Sequence, residues 1–524
     1  MTKFRTSTLL AGAASGLLAA GAGVGASSLV ASFLVGVPSP IFSVGNAAID
    51  LAPPALKDFA VEQFGTADKP LLLGGIATAI IVLAAAAGVI GLRRPRLALA
   101  ITAVMGMAAL LAAATDRTSL ASVAVTVVPA IVAVVVSVAS LAWLLAALAR
   151  RRRSEEAPWG QAHPGDDVGA DFDRRSFLQA ALATGAVTVV GGFGSRLFGT
   201  AAALASRAGI TIPQAASPAG PIPAGTELSV KGITPYLTAN ADFYRIDTAL
   251  TPPDVPADNW TLRIHGEVDN VLELSFADLL SRRLVERRIT LTCVSNEVGG
   301  ELAGNATWTG VLLKDLLEEA GVRDGADAVL STSADDFTAG TPLAALLDGR
   351  DAMVAVAMNG EPLPIEHGFP ARMVVPGLYG FVSATKWLID IEVTRFADFT
   401  AYWTDRGWDA EAPIKTASRI DVPASFATVP AGTVAVAGVA WAQTRGIRTV
   451  EVRADGGTWQ QARLAEEDSD VTWRQWVYEW QAETGSHTLE VRATDADGDI
   501  QSSERMAPRP NGSTGWHSVN VTVS

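Results

Sequence analysis

The 524-residue chain has almost no cysteine and little histidine: Cys293 is its one thiol, and the five histidines are His163, His265, His367, His487 and His517. A single cysteine rules out an intrachain disulfide, which is how exported domains usually employ the residue. A lone thiol is most often a small buried hydrophobe, so only its neighbours can give Cys293 a chemical role. No histidine precedes His163, which leaves the apolar N-terminal part without bis-histidine haem ligation. The apolar runs there carry almost no mid-span charge of the kind that marks a transport path. Cys-x-x-Cys-His haem attachment is impossible with one cysteine, and no cytochrome b5-like segment occurs. Basic residues are also scarce, 40 Lys and Arg against 54 Asp and Glu for a net charge of −14. That balance excludes nucleic acid as a partner, because phosphate binding needs a basic surface.

What the chain has in excess is apolar sequence, with 49% hydrophobic residues and a mean hydropathy of +0.28. The excess sits in four runs at about 8–35, 71–92, 97–115 and 120–149, each able to cross a hydrocarbon core of ~30 Å as a helix. A fifth, weaker run at 178–204 is interrupted by Gly191, Gly192, Gly194 and Arg196. Lys3 and Arg5, then Arg93, Arg94 and Arg96, then Arg150 to Arg153 fall in alternate loops and so on one side, the cytoplasm. With the fifth run also crossing, everything after about residue 205 is expected outside. The run is prefaced by Asp173-Arg174-Arg175-Ser176-Phe177-Leu178, which resembles the twin-arginine signal of proteins exported already folded. With four spans before it, the segment is expected to stay as an anchor.

The remainder divides by pattern. Residues 206–234, rich in Pro, Ala, Gly and Ser, read as an extended tether. Strand-like alternation at Trp260–Gly266, Arg288–Cys293 and Arg372–Pro376, with helical spacing at Ser275–Leu284 and Leu312–Ala320, predicts an α+β domain over 235–405. Helical spacing vanishes after Pro413. Runs at Thr433–Gly438, Thr449–Arg453, Arg474–Trp480 and His487–Arg492, separated by Asp/Gly turns, predict a β-sandwich of immunoglobulin type over 413–524.

Candidate chemistry gathers in the α+β domain. Asp242-Phe-Tyr-Arg245 opens it, Cys293 ends a strand, and Glu366-His-Gly-Phe-Pro-Ala-Arg372 leads into another. Gly377-Leu-Tyr-Gly-Phe-Val-Ser-Ala-Thr-Lys-Trp387 follows. Arg, Lys and loop N–H groups are what an anionic phosphate needs, and a soft thiolate suits a redox metal already bound by sulfur. Taken singly, His367 reads as a structural loop residue, Lys386 as surface and Trp387 as core. Tyr402 and Trp403 are expected to pack against the sandwich, with a role in walling a substrate funnel as the other reading.

Together these motifs resemble the molybdenum-cofactor domain of the sulfite-oxidase family, and the C-terminal sandwich resembles that family's dimerisation domain, over about residues 235–520. The strongest pieces are Thr-Cys-Val-Ser-Asn-Glu-Val-Gly-Gly, Trp308-Thr-Gly-Val-Leu-Leu-Lys-Asp-Leu-Leu317, His367-Gly-Phe-Pro-x-Arg-x-Val-Val-Pro-Gly-Leu-Tyr-Gly380 and Lys386-Trp387. Ser418–Asp421, Val439–Trp441 and Val491–Asp495 match in the second domain. The resemblance implies a molybdenum–molybdopterin cofactor with Cys293 as the protein's ligand to the metal. It implies that His367 and Arg372 hold the pterin and its phosphate, that Ser383, Thr385 and Lys386 close the pocket, and that Tyr244 and Arg245 wrap the active side. One contact is expected from the loop 332–336, which is shorter than in animal members, and Ser333 is its candidate.

The implied reaction is two-electron oxygen-atom transfer on a small substrate, a sulfite-like oxyanion or a sulfoxide, outside the cell membrane. Electrons would pass to a separate cytochrome or quinone-linked partner, and a homodimer would form through the sandwich. Two departures stand out. Sulfite oxidases follow the cysteine with Asn-Arg-Arg, whereas this chain has Asn296-Glu297-Val298. The family's bacterial reductase of oxidised methionine carries Glu where this chain has Arg245. Methionine-sulfoxide-type reduction is the alternative activity. Outside the family, a cysteine hydrolase, with His265 or His367 as base, and a non-catalytic membrane-anchored binding protein are the rival classes.

Overall fold

The computed structural model describes residues 6–34, 36–53, 68–119, 121–155, 181–188 and 201–524, with the single positions 56, 59 and 179. The twin-arginine segment 173–178 and most of the fifth apolar run lie outside the described residues. Two compact units form, residues 1–202 with 248–254, and residues 203–247 with 255–524.

The first unit is helical: α1 (Thr6–Ala31), α2 (Pro40–Leu51), α3 (Asp68–Gly91), α4 (Pro95–Ala114) and α5 (Val128–Glu155). Four helices, all but α2, are long and apolar enough to cross a membrane. Glycine lets them close up, since a Cβ on Gly16 would collide with the Ala84 carbonyl and one on Gly88 with that of Gly12. Such small-residue seams let apolar helices pack where water gives no drive to do so. Between the first two apolar runs lies α2, which starts on Pro40, where the missing N–H goes unneeded.

The second unit opens with α6 (Ala201–Gly209) and the stretch expected to be an extended tether. Hydrogen bonds hold the stretch in place. Ala216 N–H donates to Leu284 O at 2.9 Å, Glu286 N–H to Ser217 O at 2.9 Å, and Leu228 N–H to the Gln475 side chain at 2.6 Å. Extended Pro-rich backbone keeps its remaining N–H and C=O groups available for pairing along a strand edge, which composition alone does not reveal.

The α+β part comprises β1 (Thr261–Gly266), β2 (Leu272–Ser275), β3 (Val285–Thr292), β4 (Ala303–Leu312), β5 (Ala328–Ser333), β6 (Thr338–Pro342), β7 (Met353–Met358), β8 (Glu361–Pro362), β9 (Arg372–Val374) and β10 (Leu388–Thr394). One sheet runs β2-β1-β10-β5-β6 and the other β3-β4-β7-β8 with β9 on β7. Helices α7 (Phe276–Ser281) and α8 (Leu313–Ala320) lie between strands. A capping box starts α7, with the Ser275 hydroxyl accepting from Asp278 N–H and the Asp278 carboxylate accepting from Ser275 N–H. Gly321 at φ 72 ends α8. Trp260, Trp308, Trp387, Phe369 and the apolar faces of both sheets form one core.

The regular elements of residues 417–523 are all strands: β11 (Ala417–Val422), β12 (Thr428–Val429), β13 (Gly432–Trp441), β14 (Ile447–Ala454), β15 (Gln460–Gln461), β16 (Arg463–Leu464), β17 (Arg474–Ala482), β18 (Gly485–Asp495) and β19 (His517–Val523). They make a sheet β11-β13-β17-β16 and a sheet β12-β19-β18-β14-β15. Alternate residues such as Val450, Val452, Leu489, Val491, Val519 and Val521 share a core with Val436 and Trp476, the period-2 burial of packed sheets.

Candidate active site

β3 carries the chain inward through buried Ile289–Thr292, and Cys293 follows at 8% exposure. A tight turn fixes it, Cys293 N–H donating to Leu302 O at 2.9 Å and Asn296 N–H to Cys293 O at 3.1 Å. Burial pushes the thiol's pKa up, and hydrogen bonds from Ser295 oppose that only in part. The protein by itself therefore keeps Cys293 protonated, and a bound cation is needed to make it a thiolate.

The segment 240–247 lies across this end of the sheet. Phe243 meets Trp308 and His367 edge-on, at 5.8 and 5.6 Å, and stacks on Tyr244 at 5.2 Å. A Cβ on Gly304 would come 2.7 Å from the Phe243 ring, so glycine there seats the aromatic. Burial raises the Tyr244 pKa strongly, Cys293 raises it further and Arg372 lowers it. The phenol thus lies within electrostatic reach of both. A methyl on Gly380 would lie 3.8 Å from Tyr244 Oη and 3.9 Å from Thr292 O, so the Gly380 turn adjoins the same place.

His367 ends a 3₁₀ turn and is held by its Nε2, 2.9 Å from Asn240 O. Burial first, then Arg372, lowers its pKa, keeping it neutral. Gly368 at φ 108 has Arg372 and Lys386 within 3.1 Å of where a Cβ would stand, so only glycine lets the two basic segments meet here. Arg372 is 5% exposed. Its Nη1 donates to His367 O at 3.1 Å, its Nη2 to Ala384 O at 3.3 Å, and the guanidinium sits 5.0 Å from the Trp308 ring centroid. Burial draws its pKa down to about 10, with Tyr244 opposing. No carboxylate pairs with it among the described residues.

The other expected residues fall into two groups. Lys386 Nζ donates to Glu366 O at 3.1 Å, lies 4.6 Å from the Trp387 ring centroid and pairs with Asp247. Arg245, 41% exposed, pairs with the same Asp247, whose side chain is 3% exposed. The hydroxyls expected to close the pocket turn into the fold instead. Ser383 Oγ donates to backbone carbonyls at 3.0–3.1 Å, and Thr385 Oγ1 is bonded to Ser331 Oγ at 2.8 Å. Ser333 is buried at the β5–β6 hairpin, its Oγ accepting from Asp335 N–H at 3.4 Å. Glu297 is exposed. Trp387 is core, its Nε1 donating to Ile365 O at 2.8 Å.

Sequence reasoning missed Asp247, although it lies two residues from Arg245. It also missed the grip of the C-terminal sheets on the cysteine loop. Ser513 Oγ donates to Asn296 O at 2.6 Å, Arg419 Nη1 donates to Gly300 O at 2.7 Å, and His517 packs where a Cβ of Gly299 would stand. Nothing local in residues 419, 513 and 517 signals this, because it depends on residues more than a hundred positions apart. Tyr402 and Trp403 join a row of rings with Phe337 and Trp408.

A molybdopterin fits this arrangement. Among the described residues no three His, Cys, Asp or Glu side chains converge as a metal cage, so a metal held by Cys293 must bring its other ligands with it. Thr292 Oγ1, next to Cys293, is buried without a hydrogen-bond partner. Arg372 is a buried cation awaiting an anion.

Comparison with known proteins agrees. Residues 249–403 match the family described as "Oxidoreductase molybdopterin binding domain". The chain is 30% identical over 344 residues to the mitochondrial sulfite oxidase of Homo sapiens, covering 55% of this chain and 62% of that one. It therefore spans under two thirds of the animal enzyme's length. It is 33% identical over 176 residues to the oxidoreductase YuiH of Bacillus subtilis, covering 34% of this chain and 85% of the relative. The crystal structure of the sulfane dehydrogenase SoxCD from Paracoccus pantotrophus shares the fold, with a TM-score of 0.50 at 22% identity, over 55% of this chain and 82% of that one. The chain belongs to the sulfite-oxidase family of molybdenum-cofactor oxidoreductases, whose molybdopterin-binding domain it carries.

Proposed function

We propose that the chain is a membrane-anchored molybdopterin oxidoreductase that catalyses two-electron oxygen-atom transfer on a small substrate at the extracytoplasmic face. The observation that carries this is that Tyr244 lies within electrostatic reach of both buried Cys293 and buried Arg372, a guanidinium that pairs with no carboxylate among the described residues. The cofactor supplies a redox metal that exchanges an oxygen atom and two electrons with the substrate. Cys293 Sγ would hold the metal, and Arg372, with Lys386 beside it, would bind the anionic phosphate. His367, neutral and pinned by Asn240 O, orients the pterin side of the pocket. Tyr244, kept protonated by burial, is a hydrogen-bond donor within electrostatic reach of the cysteine. Ser333, Ser383 and Thr385 contribute backbone and shape, their hydroxyls being engaged within the fold.

Four apolar helices support membrane insertion, and the arginines at 93–96 and 150–153 support a cytoplasmic side for those loops. The twin arginines support export of a domain already loaded with cofactor. In the same reading the C-terminal sheets are an immunoglobulin-like domain through which two copies pair, and electrons leave to a separate cytochrome or quinone-linked protein. A hydrolase is disfavoured by the histidines: His367 is bonded to Asn240 O, and His265 pairs with Asp390 at 3.0 Å.

The test is metal analysis of the full chain purified from a host that makes the cofactor. Stoichiometric molybdenum, lost on Cys293→Ser, is expected. A thiol-reactive protein without molybdenum would refute the assignment.

A further inference from the structure

A cavity of about 20 Å³ lies where the cysteine loop meets the C-terminal sheets, wholly within the second unit. Thr292, Asn296, Tyr379, Ser418, Gln501 and Ser513 are among the residues that line it. One water molecule needs roughly 10–15 Å³ of such space, so the cavity takes a single water and nothing larger. An apolar hollow of this size would stay dry, whereas a polar lining gives a water the roughly two to four partners it requires.

Two of the lining side chains have hydrogen-bonding capacity that the protein does not use. Thr292 is 2% exposed, and its Oγ1 bonds to no group among the described residues. Tyr379 is 5% exposed, and its Oη accepts from Lys415 N–H at 3.5 Å, the limit of a hydrogen bond. No acceptor for the phenol's own hydrogen occurs among the described residues. Burial pushes the Tyr379 pKa up to about 12, so that hydrogen stays in place. A buried hydroxyl left unmatched carries its full desolvation penalty. Ser418 Oγ donates to Gln501 Oε1 and Ser513 Oγ to Asn296 O, each at 2.6 Å, which leaves lone pairs on both serine oxygens. Thr292 and Tyr379 also belong to the site. Thr292 precedes Cys293, and Tyr379 precedes Gly380, where an added methyl would stand 3.9 Å from Thr292 O. No hydrogen bond joins the two side chains directly.

We propose that this cavity binds one internal water, which accepts from Thr292 Oγ1 and Tyr379 Oη and so ties the end of β3 and the Gly380 turn to each other and to the C-terminal sheets. The water's own hydrogens go to the oxygens of Ser418 and Ser513. Thr292 and Tyr379 are then positioning residues for Cys293. The water site stands on the cavity and its lining, and its bearing on a metal rests on the molybdenum site proposed above.

The experiment uses the cofactor-free full chain in detergent, from a host unable to make the cofactor, so that no cofactor atom can serve as the partner of Thr292. Thr292→Val keeps the side chain's shape and removes its hydroxyl. With the water bound, the variant should unfold at lower urea than wild type, because the water loses a partner. In a dry cavity the same change removes an orphaned hydroxyl and should raise the midpoint, a result that overturns the proposal. Tyr379→Phe completes a double-mutant cycle. The loss from Thr292→Val should shrink in the Phe background, since the two hydroxyls meet only through the water, and strictly additive losses overturn it. Crystals of the cofactor-free wild type give a direct reading that no variant's folding affects. Density for a water within hydrogen-bond reach of Thr292 Oγ1 and Tyr379 Oη is expected, and a cavity without it overturns the proposal. Cys293 is the one thiol of the chain, so labelling with an aromatic disulfide reads that residue alone and reports its positioning. The rate should rise about two- to tenfold in Thr292→Val, the size of one hydrogen bond. Val452→Ala, in the core of the C-terminal sheets, should lower the urea midpoint without speeding the labelling. An unchanged rate in Thr292→Val overturns the positioning role. Failure of the molybdenum assignment shows separately, in metal analysis of the loaded chain, and leaves these readings as they are.

Discussion

Replacing Arg372 by methionine should remove the cofactor while leaving the cofactor-free chain about as stable as before. Burial draws the Arg372 guanidinium from its ordinary value above 12 down to about 10. A fall of at least two units means that holding the charge destabilises the folded cofactor-free chain by roughly 3 kcal/mol. The sign follows from a lowered base. The penalty is fully present below about pH 10 and is relieved only as pH rises through the folded value. Methionine lifts the penalty but leaves the carbonyls of His367 and Ala384 without this donor, at about 1–3 kcal/mol. It also forfeits the contact with Trp308, worth roughly 0.5–2 kcal/mol. The terms nearly cancel. A buried arginine paired to a carboxylate behaves differently, since its loss destabilises by about 3–5 kcal/mol. Urea unfolding followed by tryptophan fluorescence, on cofactor-free wild type and Arg372→Met from a host unable to make the cofactor, gives the comparison. Metal analysis of the same variant from a competent host gives the second arm, in which molybdenum should fall to background. A cofactor-free variant destabilised by more than about 3 kcal/mol would show that Arg372 is structural, and retained molybdenum would show that it does not hold the anion.

Two further outcomes follow from the joint between the α+β and C-terminal parts. Arg288 and Asp468, 10% and 7% exposed, are bonded at 2.8 Å, and Tyr236 Oη donates to the same carboxylate at 2.6 Å. Asp468→Asn should lower unfolding stability by about 3–5 kcal/mol. Burial alone would raise the Asp468 pKa, but Arg288 and Tyr236 outweigh it and the value is lowered. The wild type should therefore lose this contribution as pH falls below the carboxylate range, and the variant should show a flatter acid limb in urea titrations. Burial and then Arg419 draw His517 down to about 4, and its neutral Nδ1 accepts from Ile420 N–H at 2.9 Å. Stability held above the ordinary imidazole value should be lost as pH falls from there toward 4. His517→Gln should bring the urea midpoints at acid and neutral pH together, and an unchanged gap would refute this.

Local pattern made most of the secondary structure legible. Alternation located β3, β13, β14, β17 and β18 to within a few residues, and the apolar runs located the four long helices. Helix α2 falls between the apolar runs, where Pro40 and Gly45 are weak helix signals unless the N1 role of Pro40 is considered. Composition marked residues 206–234 as an extended tether but could not show its hydrogen bonds, since those of Ala216 and Leu228 depend on partners at 284 and 475. Cys293, His367 and Arg372 became candidates through the family motifs, and the strand ends and glycine turn that place them are local. For Ser383 and Thr385, expected to close the pocket, the local pattern did not reveal that their hydroxyls bond to Leu378, Tyr379 and Ser331.

The grip on the cysteine loop gives the C-terminal sheets a part in positioning Cys293, the proposed metal ligand. The turn 293–300 bonds to itself through Asn296, whose Oδ1 accepts from Leu302 N–H at 2.9 Å. Its outer side is closed by Arg419, Ser513 and His517. Arg419 is itself fixed by Asp421 at 2.7 Å and by Thr234 at 2.8 Å, so the clamp ties the stretch before the α+β part, the cysteine loop and strand β11 together. A metal ligand must hold its position to within a fraction of an ångström, and a glycine-rich turn at Gly299 and Gly300 cannot do so alone. Rigidity is imported from a packed β core, whose Val519 and Val521 lie buried on the same strand as His517. On that argument the second pair of sheets is required for a fixed cysteine even in a single copy of the chain, whatever further pairing it mediates.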